Sequence, residues 1–246
     1  MSHRVAVIPG DGIGPEVMTQ AIRVLKAVEK QTGKGFELCP GLAGGAAFDV
    51  HGSHFPDETK ELCRSCDAIL FGSVGGPVSE MHLPKWQGCE TNSILAIRKA
   101  FSFNANFRPV KIFSGLEALC PLKAEIIAAG VDLLFVRELL GDIYFGEHST
   151  SVKDGQRFAK DVAEYTEAQI LAVAKVAFEA ARKRRKKVSS VDKANVLDTS
   201  KLWRKVVSEL HEREFSDVTL EHILVDNCAM QIILAPQHFD VIVTSN

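Results

Sequence analysis

Short apolar runs and helical repeats alternate along the first half of the chain. Arg4 to Ile8 (RVAVI) is a β-branched run that stops at a Pro-Gly turn, and Pro15 then begins a segment with apolar residues at helical spacing. PDETKELCRSC is typical of a helix, DAILFGSVGG of a strand that runs into a glycine loop, and TNSILAIRKAF of another helix. This alternation predicts parallel βα units and an α/β fold with parallel or mixed sheets flanked by helices.

The second half repeats the alternation with longer helices. Its predicted strands are VDLLFVREL, KVSSVDK, VTLEHILVD and FDVIV, and its predicted helices are YTEAQILAVAKVAFEAARKRRK and SKLWRKVVSELHE. The rhythm breaks between Ser102 and Phe113, where Pro109 interrupts a strand-like run. We therefore predict two lobes, residues 1–103 and 104–246.

Composition excludes several classes of protein. The 246 residues are 46% hydrophobic and carry a net charge of −2, so no global field favours nucleic acid or an anionic membrane. The N-terminus lacks an apolar region of signal-peptide length, and no run reaches the roughly 18 apolar residues of a membrane span. The six cysteines are scattered, which favours a cytoplasmic protein with free thiols. Cys63 and Cys66 form a CxxC, but no second pair or histidine completes a metal site, so we interpret them as incidental helix thiols.

Two glycine loops follow predicted strands. PGDGIGPE has the spacing GxGxG, which does not match the dinucleotide fingerprint GxGxxG. Its amides could approach an anion at a helix N-terminus, or the loop could be a tight turn with a structural role alone. GSVGGP is a second such loop after a second predicted strand, and two loops at parallel strand ends favour a shared ligand cleft.

Three arginines stand among apolar neighbours. Arg98 follows Ile94 and Leu95, Arg108 lies in NANFRP, and Arg137 follows LLFV. A guanidinium keeps its proton in a protein, so each needs an anion or must reach water. The three together suggest a polyanionic ligand, and the alternative is internal ion pairs with Glu138 and Glu90 as the local candidates.

Further candidates lie near predicted strand or loop ends. A tyrosine and a lysine on one site can move protons, and a carboxylate facing several oxygens suggests a divalent cation; the candidates are Tyr144, Lys193 and Asp226. Each also has an ordinary interpretation, as a packed tyrosine, a solvated lysine or a helix N-cap. The basic run from Arg182 to Lys187 is interpreted as the last turn of a long helix, where cations complement the helix dipole.

At these residues the chain resembles the isocitrate/isopropylmalate dehydrogenase family, the metal-dependent decarboxylating dehydrogenases of 2-hydroxy acids. The matching segments are IPGDGIGPEV, ILFGSVGGP, LAIRKAF, NFRPVKIF, FVRELLGDIYFGE, SVDKANVL and VDNCAMQ. They span the whole chain in the family's order, so the resemblance is more specific than any single motif.

The resemblance implies a two-lobed fold and a set of roles. Arg98, Arg108 and Arg137 would bind substrate carboxylates, Tyr144 and Lys193 would handle protons, and Asp226 would bind substrate and Mg²⁺ or Mn²⁺. The first lobe would lie on the nucleotide side; the second would bind substrate and metal and form a homodimer whose chains share each active site. The NAD site would include Gly72, Ser73, Val74, Gly75, Gly76, Pro77 and Glu90.

By this resemblance, the choice of substrate depends on three apolar residues. Relatives that act on isocitrate place polar residues before the equivalent of Arg98, whereas this chain has Ile94 and Leu95, and the resemblance adds Val196. These side chains suit an isopropyl group and disfavour an unpaired carboxylate. The implied reaction is NAD-dependent oxidative decarboxylation of (2R,3S)-3-isopropylmalate to 4-methyl-2-oxopentanoate in leucine biosynthesis; tartrate- or malate-type substrates are the alternative.

The resemblance also predicts two further metal-binding aspartates after the position of Asn246, in a segment of the form FGDILSD. We therefore interpret the sequence as part of a longer active enzyme, because catalysis by these 246 residues alone would lack those ligands. The alternatives are a non-catalytic truncated homologue kept for its dimer surface and a phosphate-binding α/β protein that uses only the glycine loops.

Overall fold

The computed structural model describes residues 2–246, which divide into two compact units between Phe101 and Ser102. Both units combine a sheet with flanking helices, which confirms the predicted α/β fold with parallel and mixed sheets. No helix within residues 2–246 is both long and apolar enough to cross a membrane.

The first unit contains a three-stranded parallel sheet in the order β2-β1-β3. Its strands are β1 (Ser2–Gly10), β2 (Gly35–Pro40) and β3 (Ala68–Ser73), and its helices are α1 (Gly14–Thr32), α2 (Gly45–His51), α3 (Asp57–Arg64) and α4 (Ala96–Ala100). Val5 and Val7 pack with Met18 of α1, while Ala6 and Ile8 pack on the opposite face with Cys63 of α3. Both faces of β1 are therefore covered, as a parallel sheet requires.

The second unit contains a five-stranded mixed sheet in the order β4-β5-β10-β8-β9 and a separate hairpin, β6-β7. Its strands are β4 (Ala105–Lys111), β5 (Asp132–Glu138), β6 (His148–Lys153), β7 (Gln156–Asp161), β8 (Lys187–Asp192), β9 (Thr219–Leu224) and β10 (Val241–Thr244). Its helices are α5 (Ala124–Ile127), α6 (Glu167–Arg182), α7 (Asp198–Glu214) and α8 (Val225–Leu234). Only β4 runs antiparallel to its neighbour in the five-stranded sheet.

Helices cover both faces of the five-stranded sheet. The predicted stripe of α6, Ile170, Val173, Ala174 and Ala177, is fully buried against Trp203 of α7 and the sheet. A capping box at Thr166 and Gln169 satisfies the first amides of α6 and fixes where the helix begins. The opposite face holds a smaller core with Leu133, Phe239 and Cys228 of α8.

The prediction that Pro109 interrupts a strand is wrong. Strand β4 runs without a break from Ala105 to Lys111, and Pro109 pairs with Leu134. Proline lacks an N–H to donate, but β4 is the edge strand of its sheet, where one side of the strand has no partner strand.

The interpretation of the basic run as the last turn of a helix holds only for Arg182, because α6 ends there and the remaining cations lie beyond the helix. Arg182 Nη2 lies 2.5 Å from Asp217 Oδ1, and Arg184 Nε lies 2.8 Å from Oδ1 of the buried Asp240. Arg184 also lowers the pKa of the Asp132 carboxyl through a hydrogen bond of 2.6 Å. Arg182 thus fastens the end of α6 to the segment between α7 and β9, and Arg184 fastens the α6-β8 connection to the sheet.

Candidate active site

The first glycine loop contains an anionic side chain, Asp11, whose role the sequence analysis missed. The buried Asp11 carboxylate accepts hydrogen bonds from the amides of Gly45 and Ala46, both at 2.8 Å, and of Gly75, at 3.1 Å. The Asp11 amide donates to the Ser73 carbonyl at 2.6 Å. Asp11 therefore ties the start of α2 to the loop after β3, and these amides are already paired with a carboxylate.

The second glycine loop, Gly72 to Pro77, is packed closely from one side. A Cβ on Gly76 would lie 2.3 Å from the Trp86 ring, and one on Gly75, whose φ is +116°, would lie 2.6 Å from Glu90 Oε1. Trp86 is buried and donates to Glu80 Oε2 at 3.2 Å. Glycine is thus required at both positions by the packing and backbone of the unit itself.

Ile94 and Leu95 share a helix surface with Arg98. Residues Thr91–Leu95 form a π-helical turn that continues directly into α4, where Arg98 lies. Leu95 and Ile94 precede Arg98 by three and four positions, the spacing that places side chains on one face of an α-helix. Single π-helical turns occur often at functional sites.

Arg108 and Arg137 lie on one face of the β4-β5 ribbon. Arg137 is the cross-strand partner of Asn106, and Arg108 is two residues beyond Asn106, so all three side chains point the same way. Arg108 Nε donates to Asn106 Oδ1 at 2.8 Å, and Arg137 Nη2 donates to Asn246 Oδ1 at 2.9 Å. Both partners are neutral side-chain amides, so neither of these hydrogen bonds neutralises the positive charge of its guanidinium.

The proposed internal partner of Arg137 is engaged elsewhere. Glu138 is fully buried and points away from its neighbour, as successive residues of a strand do. Its carboxylate accepts from the amides of Leu140 and Gly141, at 2.6 and 2.8 Å, and from the Tyr165 hydroxyl at 3.1 Å. No ion pair that the structure describes between residues 2 and 246 includes Arg108 or Arg137, so both arginines can accept an external anion.

Tyr144 lies against Arg137. The guanidinium carbon lies 5.7 Å from the centre of the Tyr144 ring, within cation-π range. Tyr144 is 48% exposed and ends a short 3₁₀ turn, Asp142–Tyr144. The structure therefore brings two predicted site residues together and leaves the phenol open to a ligand.

Lys193 and Asp226 form a pair at the carboxyl ends of neighbouring parallel strands. Lys193 follows β8, Asp226 lies in the first turn of α8 after β9, and Lys193 Nζ donates to Asp226 Oδ1 at 2.6 Å. This hydrogen bond lowers the pKa of the exposed Asp226 carboxyl. Asp226 lies inside the helix, so its interpretation as an N-cap is wrong.

A cavity of about 320 Å³ opens beside Lys193 in the second unit, lined also by Asp142, Tyr165, Leu197, Trp203 and Val225. Val196 follows Lys193 by three residues and is 62% exposed. An ammonium group, a carboxylate and an apolar wall thus meet at the strand ends, the usual position for chemistry in an α/β protein.

The sequence of the whole chain decides the family. The sequence profile of the family "Isocitrate/isopropylmalate dehydrogenase" matches residues 4–246. The chain belongs to this family. Curated relatives named 3-isopropylmalate dehydrogenase include those of Escherichia coli (strain K12), 50% identical over 246 residues, and Thermotoga maritima, 49% identical over 243 residues. These matches cover 100% and 99% of this chain, and 67% of each relative.

Solved structures agree with the family assignment. The crystal structure of isocitrate dehydrogenase from Methylococcus capsulatus aligns with a TM-score of 0.84 at 32% identity. The alignment covers 99% of this chain and 67% of that one. This member of the isocitrate/isopropylmalate dehydrogenase family therefore has the family's fold, as the sequence analysis predicted.

The sequence analysis did not single out four residues that these contacts identify: Asp11 in the first unit, and Asn106, Tyr165 and Asn246 in the second. Asn246 is central among them, because its amide nitrogen donates to Tyr165 at 2.9 Å and its side chain donates to the Gly141 carbonyl at 3.0 Å. Asp11 carried one signal, a charged residue inside a glycine loop. The shared site of Arg98, Arg108 and Arg137 stays a prediction, since Arg98 belongs to the first unit and the other two to the second.

Proposed function

We propose that this family member is an NAD-dependent 3-isopropylmalate dehydrogenase. It would oxidise and decarboxylate (2R,3S)-3-isopropylmalate to 4-methyl-2-oxopentanoate in leucine biosynthesis. The observation that carries the proposal is 50% identity over the whole chain to a relative of that name. The pair of uncompensated guanidiniums on the β4-β5 ribbon supports it, because a malate-type substrate offers two carboxylates.

Substrate binding would begin at the arginines. Arg108 and Arg137 are held by neutral side-chain amides, so an incoming carboxylate gains charge-assisted hydrogen bonds without first breaking an ion pair. Arg98 would contribute the third guanidinium. These bonds would fix the hydroxyl-bearing carbon in one orientation, which is the entropic part of catalysis.

Substrate choice would follow from Ile94, Leu95 and Val196. Burying an isopropyl group on such side chains gains about 0.8 kcal/mol per CH₂. A carboxylate in the same place would lose its hydration without gaining a partner. We therefore propose that isocitrate is a poor substrate.

Proton transfer would fall to Lys193 and Tyr144. Lys193 already holds a hydrogen bond to Asp226, which fixes the direction of its ammonium group, and Tyr144 is positioned by the Arg137 guanidinium. The oxidation needs a group that takes the hydroxyl proton, and the enolate left by loss of CO₂ needs an acid. These two residues are proposed for those tasks.

The residues fit a divalent cation only in part. Asp226 offers an exposed carboxylate, but within residues 2–246 the structure has no group of three or more side chains that could hold a metal ion. Mg²⁺ often binds through one or two carboxylates together with substrate oxygens and water, so we propose that Asp226 holds Mg²⁺ or Mn²⁺ in that way. The ion would supply Lewis-acid stabilisation of a developing oxyanion.

The proposed NAD site is the glycine loop of the first unit. Family membership implies a dinucleotide, and the loop from Gly72 to Pro77 is held rigidly by Asp11 from one side and Trp86 from another. With Glu90 it would contact the cofactor near the nicotinamide. The first lobe would then serve the nucleotide, and the second lobe the substrate and the metal.

A homodimer with shared active sites is part of the proposal, as is a cytoplasmic location. Within residues 2–246 the hairpin β6-β7 is a two-stranded sheet that exposes Val152 and Phe158, and α8 exposes Met230, Ile233 and Leu234. An isolated two-stranded hairpin is marginally stable in water, so a second copy that covers these surfaces would stabilise them. Lys193 and Asp226 would then act in the partner's site.

Spectrophotometry tests the proposal. Purified protein containing this chain, with NAD⁺ and Mg²⁺, is expected to produce NADH from 3-isopropylmalate with a kcat/KM at least about a hundredfold above that for isocitrate. Faster turnover of tartrate or malate would support the alternative substrate class. Carboxylate binding without metal dependence or turnover would indicate a non-catalytic homologue.

A further inference from the structure

Two cysteines far apart in the sequence meet at the end of the first unit's sheet. Strand β1 places Ala6 opposite Cys39 of β2, and Ala6 packs in the same core as Cys63 of α3 and Cys66, two residues beyond the end of that helix. Cys39 and the α3 terminus therefore lie over the same face of the sheet.

Arg4 bridges the two segments. Its Nη2 lies 3.7 Å from Cys39 Sγ, and its Nη1 donates at 2.8 Å to the carbonyl of Ser65, the residue bonded to Cys66. The Arg4 carbonyl accepts from the amide of Asp67 at 2.9 Å. Arg4 therefore contacts the backbone of the residues on both sides of Cys66 and also the thiol of Cys39.

The two thiols interact, and their environment is asymmetric. Burial raises the pKa of the Cys39 thiol and the neighbouring Cys66 thiol raises it further, while the Arg4 guanidinium opposes both effects. Cys39 is 7% exposed, whereas Cys66 is half-buried and more open to solvent. All six cysteines are free thiols in this structure.

We propose that Cys39 and Cys66 are a site of reversible oxidation that closes to a disulfide in the presence of a low-molecular-weight disulfide such as oxidised glutathione. The pairing differs from the CxxC motif, in which Cys66 would bond Cys63. It would link β2 to the connection between α3 and β3.

The reaction has two exchange steps. The Cys66 thiolate attacks one sulfur of oxidised glutathione, forms a mixed disulfide and releases one glutathione thiolate, which takes a proton. Cys39, deprotonated, then attacks the Cys66 sulfur, forms the protein disulfide and releases the second glutathione. The two protein thiols lose two electrons, and the glutathione disulfide is reduced to two thiols.

Cys39 is a better nucleophile than Cys63 for the second step, the attack on the Cys66 sulfur. Burial raises the pKa of the Cys63 thiol to about 11, and the charge of Cys66 adds to that effect. No arginine contact to Cys63 opposes it among the interactions described for residues 2–246. The Arg4 cation, by contrast, stabilises the Cys39 thiolate as it attacks.

Peptide mapping tests the proposal. The whole protein is incubated with oxidised glutathione at pH 8, alkylated, digested without reductant and analysed by mass spectrometry. We expect a cross-linked Cys39–Cys66 peptide pair that dithiothreitol removes. A Cys63–Cys66 link, or glutathione retained on Cys66 with no link, would overturn the proposal.

Three variants sharpen the test, each checked for folding by circular dichroism. Cys63→Ser should still form the link, since Cys63 takes no part. Cys39→Ser should stop at the mixed disulfide on Cys66, and loss of that adduct would contradict the assigned order. Arg4→Gln should accumulate the mixed disulfide severalfold over the native chain, whereas unchanged kinetics would refute the role of the guanidinium.

Discussion

The hydrogen bonds to the Asp11 carboxylate lead to a prediction about the local stability of the segments that they join. Replacing Asp11 with Asn keeps the size of the side chain but substitutes an NH₂ group for one carboxylate oxygen. Three backbone amides converge on that carboxylate, at 2.8, 2.8 and 3.1 Å. In its better orientation the Asn carbonyl still accepts from Gly45 and Gly75, and the NH₂ group then faces the amide of Ala46.

The cost follows from those three bonds. A hydrogen bond to a charged acceptor contributes about 1.5–3 kcal/mol and one to a neutral acceptor about 0.5–1.5 kcal/mol. One bond worth about 2 kcal/mol is lost and two are weakened by about 1 kcal/mol each, so the opening free energy of this segment should fall by about 4 kcal/mol. That is roughly a thousandfold faster amide exchange.

Native-state hydrogen exchange with mass spectrometry measures the effect. Peptides that contain Gly45, Ala46 and Gly75 should lose protection in Asp11→Asn, while peptides of the second unit should not change. The matched control is Asp49→Asn, which removes the carboxylate from an exposed pair with Lys85 and should leave exchange almost unchanged. Equal protection in Asp11→Asn and the native chain would refute the assignment of Asp11 as the anchor of the glycine loop.

Three further predictions follow from individual contacts. Gly76→Ala would put a Cβ 2.3 Å from the Trp86 ring and should destabilise the protein by about 1–3 kcal/mol in urea unfolding; Gly35→Ala, whose Cβ would lie 3.3 Å from Ser2 Oγ, should cost less than about 1 kcal/mol. Arg137→Lys should lower kcat/KM for 3-isopropylmalate about 30-fold, because one charge-assisted bond worth about 2 kcal/mol is lost, and the exposed Arg213→Lys should have no effect. Burial raises the pKa of the Glu221 carboxyl, but hydrogen bonds from Ser189, Lys187 and His238 outweigh it and the net pKa is lowered. Its stabilisation is therefore present above the unfolded pKa of about 4.3 and lost as pH falls through the folded pKa, so Glu221→Gln should destabilise at pH 7 and much less at pH 3, as thermal unfolding would reveal.

Local patterns predicted most of the regular structure. The stripe of α6 and the buried run of β5 were evident because one helix face or one short apolar run determines each element. The hairpin β6-β7 was missed, although its Asp154-Gly155 turn, with φ of +51° and +74°, is a recognised hairpin signal. Its strands are polar and exposed, so no hydrophobic alternation marked them.

Long-range partners were harder to predict. The amides held by Asp11 lie 34 to 64 residues away, and no local pattern connects them. Lys193 and Asp226 were both singled out, and their contact could have been predicted because β8 and β9 are neighbouring parallel strands that end side by side. Asn246 could not have been assigned to Arg137, since the order β5-β10-β8 brings these strand ends together only in the folded sheet.

The most direct test of the proposed function counts products. Protein containing this chain is incubated with 3-isopropylmalate, NAD⁺ and Mg²⁺, and NADH, CO₂ and 4-methyl-2-oxopentanoate are quantified by absorbance, gas analysis and ¹³C NMR. The proposal predicts equal amounts of all three, because oxidation and decarboxylation occur on one bound substrate. NADH without CO₂, or no product from 3-isopropylmalate while isocitrate or tartrate is consumed, would contradict it.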